Sequence, residues 1–309
     1  MTKDFQLLMI GAMYENGGNT THRYLDGHPE LYVYPFESQL GTKLASGMLA
    51  STFPSKYRWP VFALDATPEQ DYRSIIDEEC KVRARTPDVS KFRHVPFDFD
   101  DDHRLAIYLR KIQETGRSRA TNVAAFYEAT FEAWADHERT NHERIYVGYS
   151  PIITVDAETI LGELPAGHFL HVVRNPWSAY ADTKKRPVPL GLEDYLLGWT
   201  LTQRYALLVQ QKHPERMHIL RFEDLVADPT RALRPLCKAL GIDVADTLSR
   251  PTWNGRPLGE IKPWGTIREP TPAVNLATAQ ELDERETASV RESAGLYLGA
   301  FGYEDFLTG

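Results

Sequence analysis

The chain has 309 residues, 42% hydrophobic and 25% charged, with a formal net charge of −8. That size suits one large α/β domain or two small ones, and the acidic balance excludes a general nucleic-acid coat, leaving anion binding to local basic clusters. Two widely separated cysteines, Cys80 and Cys237, argue against a disulfide framework or a zinc-type spacing, and no apolar run has the length of a signal peptide or membrane span, so a cytoplasmic protein is expected.

Residues 5–10 read as a buried strand. They lead into Gly11, then Gly17-Gly18-Asn19-Thr20-Thr21, then a helix over 19–27. Strand, glycine turn, helix is the order that presents backbone N–H groups to a phosphate. Yet the loop carries Glu15 and has no Lys or Arg before Arg23. Residues 31–34 predict a second strand, stopped by Pro35. Residues 41–140 have a mostly helical pattern interrupted by Pro54, Pro60, Pro68, Pro87 and Pro96. Within them, the acidic run 98–102 reads as a helix cap or a solvated loop rather than a metal site. The strands 144–148 and 168–173 follow, joined by a crossover helix at 155–164. A helix over 195–212 and a strand over 217–222 come next. Asp228-Pro229 then opens a helix that Gly241 closes. This alternation predicts an α/β fold: a central parallel sheet with helices on both faces. The chain reads as a single domain over 1–309 with a mainly helical insertion at about 41–140.

Ligands of such sheets bind beyond the carboxyl ends of the strands. The residues there are the glycine loop, Glu37, Tyr149, Arg174 with the later cluster Lys184-Lys185-Arg186, and Glu223. An anion-binding loop, an isolated carboxylate and basic clusters at one sheet edge suit a phosphorylated nucleotide beside a carboxylate base. A nucleoside-triphosphate kinase would carry G-x-x-x-x-G-K-[ST], but here Gly18 follows Gly17 and no Lys comes after it.

Several motifs resemble the sulfotransferases that use 3′-phosphoadenosine 5′-phosphosulfate (PAPS). Leu25-Asp26-Gly27-His28-Pro29-Glu30 is similar to the family's L-D-x-H-P-E. Arg174-Asn175-Pro176 is similar to its R-N-P. The run 221–229, RFEDLVADP, is similar to R-Y-E-D-L-x-x-D-P, and Leu240-Gly241 and the final helix ending near Tyr303 also fit. The likeness covers both ends and the central strands, not clearly residues 50–140, and its pattern is nearest the bacterial, tyrosylprotein- and carbohydrate-acting branches. It implies a P-loop NTPase-like sulfotransferase fold. It also implies sulfuryl transfer from PAPS to a hydroxyl or amine of a carbohydrate or small-metabolite acceptor, with the nucleotide PAP as product and no metal.

By the resemblance, Glu37 is the catalytic base. Gly17, Gly18, Asn19, Thr20 and Thr21 hold the 5′-phosphate, and Arg174 with Lys184 and Arg186 holds the 3′-phosphate. Trp264 and Arg268 belong to a loop that covers the nucleotide. The two threonines read equally as helix caps, Trp264 as a core aromatic and the lysines as surface charge. Three positions depart from the family: Glu15 stands for an Arg, Tyr149 for a Lys, and Asp182 for the Ser at the 3′-phosphate. Arg23, Lys43, Arg256 and Lys262 are the other cations within reach of replacing the missing charge. The insertion, with Tyr57, Trp59, Tyr72, Phe126, Tyr127 and Trp134, is expected to build the acceptor pocket, or else to use these rings as core. A second reading is a non-catalytic binding protein on the same fold, and a third a P-loop kinase.

Overall fold

Leu7–Ala12 alternates its side chains between two apolar layers, and this alternation sets the architecture. In the computed structural model, which describes residues 5–44, 53–258 and 271–308, this segment is strand β1 and every residue of it is buried. Leu7 and Met9 enter one core cluster, while Leu8, Ile10 and Ala12 enter another. A strand buried on both faces belongs at the centre of a parallel sheet.

The other strands are β2 (Leu31–Val33), β3 (Ile145–Pro151), β4 (His168–Val173) and β5 (Met217–Arg221). The order is β2-β3-β1-β4-β5, with every neighbouring pair parallel. Chain order reverses across β1, so the crevice at its carboxyl end is the topological switch point. Strand β3 runs three residues past the predicted end at Gly148. Tyr149, Ser150 and Pro151 sit opposite Ile10, Gly11 and Ala12 of β1, so pairing with the central strand carries β3 through what the sequence reads as a turn.

On one face lie α1 (Gly18–Leu25), α9 (Phe222–Ala227) and α10 (Pro229–Leu240), packed on Leu8, Ile10, Val147 and Leu170. Asp228 caps α10 by accepting the Arg231 N–H, with Pro229 at its first position and Gly241 in the left-handed conformation at its end. The helices between β2 and β3 are α2 (Pro68–Ser74), α3 (Glu78–Arg85), α4 (Asp101–Thr115) and α5 (Arg119–Ala133). They cover the other face together with α6 (Ala157–Glu163). Asp100 in the acidic run caps α4, accepting the Asp102 and His103 N–H groups. A third cluster joins α7 (Pro176–Lys184), α8 (Leu192–Lys212), α11 (Pro272–Ala279) and α12 (Glu284–Phe301) at the β4–β5 side. A two-stranded ribbon, β6 (Thr252–Trp253) and β7 (Arg256–Pro257), completes the elements named here.

All six insertion aromatics are core. Trp59, Tyr72, Phe126, Tyr127 and Trp134 are each buried in the insertion-side cluster, and Tyr57 is buried in the third cluster, edge-on to Tyr14. Both cysteines are buried and free. Among the described residues no helix is long and apolar enough to cross a membrane.

Candidate active site

The loop from β1 to α1 turns on two left-handed residues, Glu15 (φ 56°) and Gly17 (φ 85°). Gly17 also lies against Phe222: a Cβ built there would fall 2.1 Å from the ring. One on Gly18 would fall 2.4 Å from the Tyr149 ring. The glycines therefore let the loop sink onto two aromatic supports while its first-turn amides point outward from α1. The first N–H groups of a helix have no intrahelical acceptor, so Gly18, Asn19 and Thr20 supply donors at the switch point. Thr21 does not add a hydroxyl. Its Oγ1 donates to the Gly17 carbonyl at 2.9 Å and braces the loop from behind.

Asn16 was not legible as a site residue, and it organises the crevice. It is fully buried. Its Oδ1 accepts from the Arg174 N–H at 3.0 Å and the Trp199 indole at 3.2 Å, and its Nδ2 donates to the Tyr14 carbonyl and the Tyr195 hydroxyl. One amide thus ties the β1 loop to the end of β4 and to α8.

Arg174 follows β4 and is itself held on all sides. Its Nε donates to Asn275 Oδ1 at 2.7 Å, and its Nη1 to the Glu15 carbonyl at 3.0 Å and to Asp182 Oδ2 at 2.8 Å. The guanidinium lies 5.1 Å from the Phe222 ring centroid. Glu223 anchors this corner, accepting from the Asn175 backbone and side chain, the Asn275 amide and the Tyr303 hydroxyl. The sequence motif around Glu223 therefore acts through tertiary hydrogen bonds. So does the one at 25–30. Asp26 accepts from the Thr252 hydroxyl and the Gly255 N–H, and His28 bonds the Asp243 carbonyl.

The remaining cations separate by position. Arg186 lies over the Tyr14 ring at 4.3 Å and 3.9 Å from Glu15 Oε1, so it faces the crevice. Lys184 is exposed and paired with Glu286 of α12, and Lys185 with Asp182 and Glu281. Arg23 is buried behind α1, bonding the Tyr34 carbonyl and pairing with Asp26, and Arg256 reaches Glu138. Lys43 is exposed beyond the Glu37 turn. Lys262, Trp264 and Arg268 lie outside the described residues.

Glu37 sits half-buried on the turn after β2, which β3 fixes: the Ser38 N–H donates to the Tyr149 carbonyl at 2.6 Å, and Ser38 Oγ accepts the Tyr149 N–H at 3.0 Å. Burial pushes the Tyr14 hydroxyl up to about 12, with Arg186 opposing and Glu37 adding to the rise. Burial likewise raises Glu15, against Arg186 and with Asp182. Tyr149 is raised by burial and then by Glu37 and Glu15. Glu37 and Arg186 thus both act on Tyr14, Glu15, Tyr57 and Tyr149, and these four are the perturbed groups. Perturbed groups gathered at a switch-point crevice are the physical mark of a functional site. A groove of about 680 Å³ beside β5, lined by Arg221, Asp224, Asp228 and Arg231 among others, is a separate feature, and none of the crevice residues lines it. Among the described residues no group of three His, Cys, Asp or Glu side chains is arranged to hold a metal.

A parallel sheet with a glycine turn leading to a helix at its switch point, and a carboxylate on the turn after β2, defines an α/β protein of the P-loop-like class. Within that class the chain belongs to the sulfotransferase family, whose model matches residues 17–246. It is similar to the omega-hydroxy-beta-dihydromenaquinone-9 sulfotransferases Stf3 of Mycobacterium bovis and Mycobacterium tuberculosis, each 29% identical over 108 residues. That stretch spans 30% of this chain and only 28% of each relative's length. The fold is similar to that of the sulfotransferase domain of the Synechococcus PCC 7002 olefin synthase, at TM-score 0.51 and 19% identity, covering 95% of this chain and 96% of that one.

Proposed function

We propose that the protein transfers a sulfuryl group from PAPS to a hydroxyl or amine of a small-molecule or carbohydrate acceptor. The observation that carries this reading is the convergence of the α1 amides, Arg186 and the Glu37 carboxylate on one crevice in a chain of the sulfotransferase family. Such enzymes generally take the sulfuryl group from PAPS.

The acceptor O–H gives its proton to the Glu37 carboxylate, its oxygen forms the new bond to sulfur, and the bond from sulfur to the 5′-phosphate oxygen breaks, releasing PAP. Amide donors of α1 are preorganised for charge that develops on that leaving oxygen. Charge at the far end of the donor is less well met. Arg174, the cation expected for the 3′-phosphate, already carries Asp182, so a bound 3′-phosphate has to compete with that carboxylate. Within this reading the chain works as one catalytic unit, with the insertion supporting the Glu37 turn. Two free buried cysteines suit a reducing, cytoplasmic setting.

Thermal melting with PAP, with ATP and magnesium as control, tests the donor site, because a ligand of the native state raises the melting temperature. A rise with PAP alone is expected. Transfer of labelled sulfate from PAPS to a panel of sugars, phenols and amines then tests the reaction. A response to ATP and magnesium alone would favour the kinase reading. No response to either nucleotide would favour the non-catalytic one.

A further inference from the structure

The turn that carries Glu37 is held from beneath by the insertion. The Glu37 backbone N–H donates to Glu79 Oε2 at 3.1 Å, and the other Glu79 oxygen is paired with Lys91. A second tie runs through Gln39. Its Nε2 donates to Glu37 Oε2 at 3.4 Å, its Oε1 accepts the Glu78 N–H at 3.1 Å, and its carbonyl accepts the Asp77 N–H at 2.8 Å. Glu79 is 8% exposed, in the first turn of α3, where the helix dipole favours a carboxylate. One turn thus presents a carboxylate to the crevice and rests on a second, buried one.

We infer that Glu79 is a positioning residue for Glu37: it fixes the turn through the backbone N–H and, as a like charge behind it, draws the acceptor's proton onto the Glu37 carboxylate. The inference rests on Glu37 being the base. Glu79 exchanges no proton in the step. Its negative charge disfavours a second one on Glu37, so protonation of Glu37 relieves the repulsion between them.

The groups that face the pair are these. Around Glu79 stand Lys91, Arg23 of α1, Tyr57, and Asp77, Glu78 and Cys80 at the start of α3. Around Glu37 stand Tyr14, Glu15, Tyr57, Tyr149, Lys91 and Glu79, and Arg186 acts on the first four of these. Burial first, and Glu37 second, push Glu79 up to about 7, while Lys91 pulls it down.

The test is carbon-13 NMR of carboxyl-labelled glutamate in the full chain, with Glu37 and Glu79 assigned by Glu79→Gln and Glu37→Gln. The wild type should show the Glu79 carboxyl titrating near neutrality. Glu79→Gln should remove the near-neutral step and, with PAPS and an acceptor, lower kcat about tenfold with little change in KM. Lys91→Met, which spares both carboxylates, should raise the near-neutral step. An unchanged kcat in natively folded Glu79→Gln overturns the inference. Should that variant not fold, an unmoved step in Lys91→Met overturns it equally. Failure of the base is separable: full transfer from PAPS by Glu37→Gln removes the role being positioned, whatever the titrations show.

Discussion

Two buried arginines, Arg104 in the insertion and Arg174 at the end of β4, face carboxylates at similar distances and do different things. Arg104 is fully buried and meets Asp77 at 2.7 Å, Asp101 at 2.6 Å and the Tyr72 hydroxyl at 2.7 Å, with its guanidinium 4.5 Å from the Phe126 centroid. The Asp77 and Asp101 side chains are at most 4% exposed, so both carboxylates are sealed in, although Asp101 also pairs with the exposed Arg85, and the network's product is rigidity. Arg174 is closed behind, by Asn275, the Glu15 carbonyl and Phe222, but its carboxylate partner Asp182 is 30% exposed and shared with Lys185. The same pairing chemistry is sealed where both carboxylates are buried, and partly open where Asp182 reaches solvent. The Arg104 network also bonds the Tyr34 hydroxyl just after β2, so the scaffold reaches the turn that carries Glu37.

The comparison breaks most visibly at Arg104. Arg104→Met leaves Asp77 and Asp101 buried beside lost charge, and should cost about 3–5 kcal/mol of unfolding free energy. Urea denaturation reads this as a lower midpoint at unchanged slope. A loss below about 1 kcal/mol would mean that the network is not closed. At the site the expectation is reversed. Glu37→Gln should lower sulfuryl transfer by about 10²–10⁴-fold while the urea midpoint stays put, because a half-buried turn carboxylate contributes to chemistry rather than packing. A Glu37→Gln variant that unfolds early but retains transfer would exchange the roles of the two regions.

Local signals made much of the scaffold legible. A continuous apolar run placed β1, and Asp228, Pro229 and Gly241 fixed the ends of α10 to the residue. The glycine turn, Arg174 and the Glu37 turn were readable because strand ends of a parallel sheet are privileged positions. What was not readable depends on distant partners. Asn16 acts through Arg174 and Trp199, 158 and 183 residues away, and nothing in the loop's own sequence marks it. Glu79 looks like any acidic residue in the first turn of a helix until β2 is docked beside it. The insertion aromatics failed as pocket candidates for a related reason. Aromatic spacing shows that a helix buries a face, but not whether a ligand or the sheet covers it.

A smaller effect sharpens the reading of Asp182. Asp182→Ser removes the carboxylate that occupies Arg174 and leaves its Asn275 and Glu15 contacts in place. PAP should then bind about fivefold more tightly, the worth of a half-exposed ion pair at about 1 kcal/mol. Calorimetric titration measures it. Unchanged or weaker binding would mean that Arg174 faces no phosphate and that its network is scaffold after all.

The smallest effect separates the two kinds of region by the sign of their pH dependence. His171 is buried between the Thr154 hydroxyl and the Gln203 amide, and burial holds it down to about 4. His218, against His168, is also held to about 4 by burial and then by its neighbour. Both titrate from 6.5 when unfolded. Their stabilisation is therefore complete above that pH and drains as the pH falls toward 4, because the unfolded chain binds protons that the native one refuses. Glu79 runs the other way. Raised from 4.5 to about 7, it contributes most below 4.5 and loses that contribution as the pH rises toward 7. These two histidines and Glu79 thus partly cancel between pH 7 and pH 5. Removing one side exposes the other. Glu79→Gln should steepen the acid loss in urea melts, and His218→Gln should flatten it. An acid loss that Glu79→Gln leaves unchanged would show that Glu79 carries no strained charge in the native chain.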